Sequence, residues 1–265
     1  MSRPVRPALH VLVPTLGGMC SQLEDWCIQH ASIDFPLAFN KLPQQNLGFV
    51  EDARQQQCDT FLAGPTDWAL FVDADTGPYI TAPAFLAGAE AIKAKIVSGT
   101  TPFHGAGKAP GICANIAQDD PNGDPVFIPW HSIPWDGPRY HPITRAGLAF
   151  MLIHRSVLET LMNKAEQSGR EEDYPFRAKW ERGHLKFGED RMFCVRARDA
   201  GFEIFADLRA QCSHDKRWCM TPLHAILDMP FFEPGKKPHP EAPHQSPRSP
   251  LDHPKPPQPL ISLVQ

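Results

Sequence analysis

The sequence contains no uninterrupted apolar run of the roughly 18 to 20 residues that a membrane-spanning helix needs, which argues against an integral membrane protein. Its opening, MSRPVRPALH, also lacks the apolar stretch of a secretory leader, so a soluble, cytoplasmic, membrane-free protein is expected. Its seven cysteines are odd in number and scattered, and no CxxC pair occurs, which excludes a disulfide framework and weakens any zinc reading of Cys212, His214 and Cys219. There is little charge of one sign: the formal net charge is -4, with no overall excess of cations for holding a polyanion. The early turn TLGG, Thr15 to Gly18, carries neither lysine nor arginine, unlike a triphosphate-gripping loop. No internal repeat is visible.

What is present suits a globular domain. The 265 residues are 42% hydrophobic, enough for one large core. Many of the 29 prolines fall after Phe232, in EPGKKPHPEAPHQSPRSPLDHPKPPQP, where large apolar residues almost vanish. Such a segment cannot offset its own ordering entropy. The expected division is a folded domain over 1–232 and a disordered, proline-rich tail over 233–265.

Ahead of the tail, strand and helix patterns alternate. HVLVP, His10 to Pro14, reads as a buried strand and Leu23 to Gln29 as helix. IDFPLAF, residues 33–39, reads as an edge strand because of its internal proline. Val50, Ala53, Cys58, Phe61 and Leu62 recur at helical spacing, and Gly64-Pro65 ends that helix. The strand Trp68 to Val72 follows, then a helix opened by Pro83, then the strand KIVSG. This rhythm predicts an α/β protein with a doubly wound, mostly parallel sheet, whose ligands gather at the carboxyl ends of the strands. Residues 100–146 have little periodicity and read as a long irregular binding loop bearing Trp130, Trp135 and Tyr140, whose flat faces suit a sugar or a base. GLAFMLIHR then restores a strand, SVLETLMNKAEQSG a helix capped by Ser156, and FEIFAD a last strand leading to His214.

Two acidic motifs carry the chemistry. In FVDAD, Asp73 and Asp75 flank Ala74 at a strand end, and residues two apart on a strand share a face with Cα atoms roughly 6 to 7 Å apart. Their repulsion could reach roughly 2 to 3 kcal/mol at an effective dielectric near 20, so water or a cation should offset it. In GED, Glu189 and Asp190 occupy the first turn of a helix, where acids complement the helix dipole. The sharper reading makes Asp190 a general base, with Glu189 structural or touching the acceptor.

The order VPT, then DAR (Asp52 to Arg54), FVDAD, GLAFMLIHR, GED, RMFCVRARDAGFEIFAD and a final histidine resembles the GT-A fold glycosyltransferases of family two, over about residues 8–215. The resemblance implies a Rossmann-like GT-A fold with an acceptor-side loop, and a nucleoside-diphosphate sugar as donor. It implies Pro14 and Thr15 beside the base, and Asp52 or Arg54 near base or phosphate. It places Asp73 and Ala74 against the nucleotide, Asp73 and Asp75 at Mn²⁺ or Mg²⁺, and His214 as a further metal ligand. Trp130, Trp135 and Tyr140 fall on the acceptor side. The expected reaction is sugar transfer to a hydroxyl of a soluble acceptor (a glycan, a protein or a modified DNA base), with Asp190 as base if configuration inverts. Two other classes fit parts of the pattern: a nucleotidyltransferase-like metal enzyme, and a non-catalytic carbohydrate- or nucleic-acid-binding module.

Overall fold

A computed structural model of the chain describes residues 9–15, 19–32, 37–43, 50–105, 111–122, 124–133, 136–215 and 219–220. Trp135, the turn residues 16–18 and the expected proline-rich tail lie outside them. In chain order the first elements are β1 (Leu9–Thr15), α1 (Ser21–Ser32), β2 (Leu37–Pro43), α2 (Val50–Ala63), β3 (Trp68–Val72), β4 (Thr76–Pro78), α3 (Ala82–Ala91) and β5 (Ile96–Thr100). The middle holds β6 (Pro102–Gly105), β7 (Gly111–Asp119), β8 (Pro125–Pro129), β9 (Tyr140–Ile143) and β10 (Arg145–Ala146). The last are β11 (Phe150–His154), α4 (Arg155–Ser168), β12 (Lys179–Glu181), β13 (His184–Phe187), α5 (Glu189–Asp199), β14 (Ile204–Asp215) and β15 (Cys219–Met220).

The main sheet runs β2-β1-β3-β11-β5-β14-β15. β1 is parallel to β2 and β3, and β5 is parallel to β14. β11 lies antiparallel between β3 and β5, so the sheet is mixed where the sequence suggested a run of parallel strands. The strand expected at residues 33–39 is found as β2 from Leu37 to Pro43, at the edge the proline argument gave it.

Strand alternation sorts the core into two layers, because successive side chains point to opposite faces. Val11, Val13, Leu70, Val72, Phe150 and Leu152 meet Trp26 of α1 and Phe85 of α3 on one face. Leu12, Phe71, Met151 and Ile153 meet Phe61 of α2, Leu158 of α4 and Phe193 of α5 on the other. Helices thus cover both faces of the sheet. Arg155, at the start of α4, closes α2 by donating to the carbonyls of Phe61, Leu62 and Gly64 at 3.1, 3.0 and 2.6 Å. Those carbonyls have no partner within the helix, and a cation there also opposes the dipole's negative end. The cap of α4 is His154 rather than Ser156: its ring Nδ1 accepts the Ser156 N–H at 3.2 Å.

The expected irregular stretch 100–146 is mostly sheet. β6, β7, β8 and β10 form a second, four-stranded antiparallel sheet, and β9 pairs with β14. Ile112 to Ala117 of β7 are all buried, with Asn115 as the single polar member, so polar and apolar residues do not alternate. A period-two search cannot register such a strand.

Candidate functional site

The carboxyl edge of the main sheet is assembled by backbone pairing. β3 ends at Val72, and the Asp73 N–H donates to the Ala149 carbonyl at 3.0 Å. Because β11 is antiparallel, its entry segment Gly147 to Ala149 lies at this same edge. Gly147 N–H donates to Asn115 O at 2.9 Å, and Asn115 N–H to Thr101 O at 3.0 Å, so the ends of β3 and β5 and the middle of β7 meet there. β14 runs parallel to β5 until a shift in register after Ala206, then pairs with β4 so that His214 stands opposite Thr76. That bend carries the end of β14 beside the Asp73–Asp75 turn, where Asp215 N–H donates to Asp75 O at 2.6 Å.

The two aspartates have different partners. Asp73 Oδ1 accepts from Arg54 Nη2 at 2.6 Å, and Arg54 Nη1 lies 3.0 Å from Glu189 Oε1. The Arg54 side chain is only 4% exposed. Burial alone would lower its pKa, yet Asp73, Glu189 and Asp190 together hold it above the usual arginine value. Glu189 shifts upward: burial raises its carboxyl more than Arg54 lowers it, and Asp190 adds to the rise. One buried guanidinium therefore ties the start of α5 to the end of β3.

Asp75 faces β14. Its Oδ2 lies 3.6 Å from His214 Nε2, and the other ring nitrogen, Nδ1, lies 3.0 Å from the Pro102 carbonyl oxygen. A carbonyl only accepts, so Nδ1 carries the proton of that bond. In the neutral ring Nε2 is then a lone pair aimed at a carboxylate, two acceptors face to face. Such a pair is favourable only with a proton or a cation between them. A backbone carbonyl on the far nitrogen is also how proteins fix the tautomer of a metal-binding histidine. Among the described residues no three His, Cys, Asp or Glu side chains converge as a metal cluster. Asp75 Oδ2 and His214 Nε2 could supply at most two protein ligands to a divalent ion, the remainder falling to other oxygens.

Asp190 stands in the first turn of α5, its Oδ1 accepting the Arg191 N–H at 2.6 Å. Its Oδ2 comes within 3.8 Å of where a side chain on Gly147 would begin. Arg54, Asp73, Glu189 and Asp190 are therefore one cluster. Pro14 is buried at the end of β1, and the Thr15 backbone pairs with Pro43. Ala74 O accepts the Cys20 N–H at 2.7 Å, anchoring the approach to α1. Asp52 points elsewhere, into an ion pair with Arg177, while neighbouring Glu51 accepts the Ala178 N–H at 2.6 Å. Both acids on α2 thereby hold the segment leading to α5.

Of the expected acceptor-side aromatics Trp135 lies outside the described residues, and Trp130 and Tyr140 do not share a face. Trp130 is fully buried in the α2/α4/α5 core, and Tyr140 packs toward α3, against Gly88, on the other face of the sheet. A fully buried indole offers no open face to an acceptor. An exposed aromatic that sequence reading missed is Trp180, 45% exposed on β12 opposite Leu185 of β13. The signal was present in KWERGHLKF: Arg182 and Gly183 both have positive φ, 50° and 78°, as a two-residue hairpin turn requires. This hairpin leads directly into Gly188 and Glu189.

No protein-family model matches the chain, and no curated protein matches it. Among solved structures, the crystal structure of A197 from STIV is similar, at 17% identity and a TM-score of 0.52, over 89% of this chain and 99% of that one. At that identity the likeness concerns the fold alone, a mixed α/β architecture. No helix among the described residues is long and apolar enough to cross a membrane.

Proposed function

We propose that the chain is a metal-dependent glycosyltransferase of GT-A type, moving a sugar from a nucleoside-diphosphate sugar to a hydroxyl of an acceptor reached from solution. The observation that carries this reading is the opposed pair Asp75 Oδ2 and His214 Nε2, 3.6 Å apart at the carboxyl edge of the sheet. A bound Mn²⁺ or Mg²⁺ there would supply Lewis-acid stabilisation of the leaving diphosphate. Pro14, Thr15 and Ala74 line the approach for the nucleotide. Arg54 fixes Asp73 for the donor and holds Glu189, so that α5 presents Asp190 to the acceptor. Asp190 takes the hydroxyl proton, for which it must come within about 2.6 to 3.2 Å of that oxygen.

The test is nucleoside-diphosphate release from a panel of nucleotide-sugars with Mn²⁺ present. Turnover of one donor that is lost in Asp75→Ala and in His214→Ala supports the transferase. A proton-bridged Asp75–His214 ion pair with no metal role predicts turnover indifferent to chelator. Pyrophosphate release from a nucleoside triphosphate would favour nucleotidyl transfer, and binding without turnover a non-catalytic module.

A further inference from the structure

Asn115 lies on β7, outside every motif considered above, and is 9% exposed. Its Oδ1 accepts the Thr101 N–H at 2.8 Å. Because an N–H can donate only to the oxygen, this bond fixes the amide, and Nδ2 is left as the outward donor. That Nδ2 is buried without a hydrogen-bond partner. A buried amide hydrogen left unsatisfied costs about 1 to 3 kcal/mol, so an acceptor atom from a ligand or a water is favoured beside it.

The space beside it is defined by a missing side chain. A Cβ on Gly147 would have Asn115 Cβ and Nδ2, each at 3.6 Å, and Asp190 Oδ2, at 3.8 Å, as its nearest neighbours. Glycine leaves room for a Cβ there, and Gly147 and Asp190 are both part-exposed while the Asn115 Nδ2 atom is buried. The Asn115 amide donor and an Asp190 carboxylate oxygen therefore flank the one volume that the missing Gly147 side chain leaves.

We infer that this volume seats the reacting acceptor hydroxyl, with Asn115 Nδ2–H donating to its oxygen while Asp190 Oδ2 accepts its proton. The inference rests on the glycosyltransferase reading and deepens it by assigning the acceptor oxygen's position. In the step, the O–H bond breaks and its proton passes to Asp190. The oxygen's electron pair forms the new bond to the anomeric carbon, and the bond to the diphosphate breaks with its pair. As charge builds on the attacking oxygen, the Asn115 donor steadies it in the manner of an oxyanion contact. In the absence of another acceptor, water occupies the same place and the donor is hydrolysed.

The experiment measures hydrolysis of the best nucleotide-sugar with Mn²⁺, across pH, together with donor Kd by calorimetry. Asn115→Asp keeps the oxygen that holds Thr101 and loses the donor. Turnover should fall about tenfold or more at unchanged donor Kd, and the acid limb should move up by about one pH unit, since a second carboxyl now borders Asp190. Asn115→Ala should lower turnover without moving the acid limb, and Gly147→Ala should lower it by filling the space. Turnover within twofold of wild type in all three variants overturns the inference, as does a loss confined to donor Kd, which would put Asn115 on the donor. A wild-type chain that hydrolyses no nucleotide-sugar removes the underlying reading and this inference with it, whereas an active wild type with indifferent variants removes only the inference.

Discussion

Replacing Arg54 with methionine should expose the electrostatic design of the site. Arg54 sits 2.6 Å from Asp73 and 3.0 Å from Glu189, with its own side chain 4% exposed. Methionine keeps much of the volume and removes the charge. Two carboxylates that shared one guanidinium then face each other at roughly 5 Å, a repulsion of about 3 kcal/mol at an effective dielectric of 20. This agrees with the 3 to 5 kcal/mol loss typical when one member of a buried ion pair is removed, and at about 2 to 4 °C per kcal/mol it lowers Tm by roughly 6 to 20 °C.

The loss should depend on pH. Glu189 already has a folded pKa above the usual glutamate value, because burial outweighs Arg54. For a carboxyl raised on folding, the stabilisation is complete below the unfolded pKa and disappears as pH rises through the folded one. Without Arg54 the folded pKa climbs further. Arg54→Met should thus be close to wild type near the ordinary glutamate pKa and progressively weaker toward pH 8. Adding Glu189→Gln should restore much of the stability at pH 8. Urea midpoints of wild type, the single and the double variant between pH 5 and 8 decide it. An equal loss at every pH, or no recovery in the double variant, would show that Arg54 acts by packing alone.

Three further outcomes are expected. Asp190→Asn should lower turnover about 100-fold or more while calorimetric donor affinity holds; unchanged turnover removes Asp190 from proton transfer. Gly99→Ala should destabilise the domain by about 1 to 3 kcal/mol in urea titration, because its Cβ would fall 2.6 Å from the Ala210 carbonyl oxygen and 2.5 Å from a Phe150 ring carbon; a neutral result would mean that β5 and β14 can separate freely. Cys194, fully buried with its thiol pushed up to about 12 by burial, together with Cys58 and Cys212, should resist a thiol reagent at pH 8 until the chain unfolds; rapid labelling of the native protein at these positions would contradict the core packing.

How far the sequence reached depended on which signals were local. α2 and α5 were legible from helical periodicity, β1, β3 and β11 as short apolar segments next to turn residues, and His214 as the end of a strand. The direction of β11 was not: GLAFMLIHR has the same alternation whichever way it runs, and only its pairing with β3 and β5 sets it antiparallel. β7 was missed because its short run ICANIA is built largely of small residues, is broken by Asn115 and follows a glycine- and proline-rich stretch. Trp130 was misplaced because a tryptophan among prolines and glycines reads as a surface loop, while its neighbours Ile128 and Ile133 belong to the core cluster. Asn115 gave no signal, since its meaning comes from Thr101, Gly147 and Asp190, which lie 14, 32 and 75 positions away in the chain.

The Asp73–Asp75 motif shows how the fold resolves a conflict the sequence only poses. Two carboxylates one residue apart at a strand end repel, and the turn separates their duties instead of forcing both onto one ligand. Asp73 turns to Arg54, which belongs to α2, so its charge is neutralised within the protein whether or not a nucleotide is present. Asp75 turns to His214 on β14, whose Nδ1 proton is committed to the Pro102 carbonyl. The first arrangement holds α2, β3 and α5 together; the second is where the proposed function would seat its cation. Stability and ligand demand thus rest on different residues of the same three-residue motif, and Asp73→Asn and Asp75→Asn should separate them. The former should lower Tm with little change in the Mn²⁺ concentration for half-maximal turnover, and the latter should do the reverse. If both variants shift Mn²⁺ dependence equally, the two carboxylates act on one ion and the division of duties is wrong.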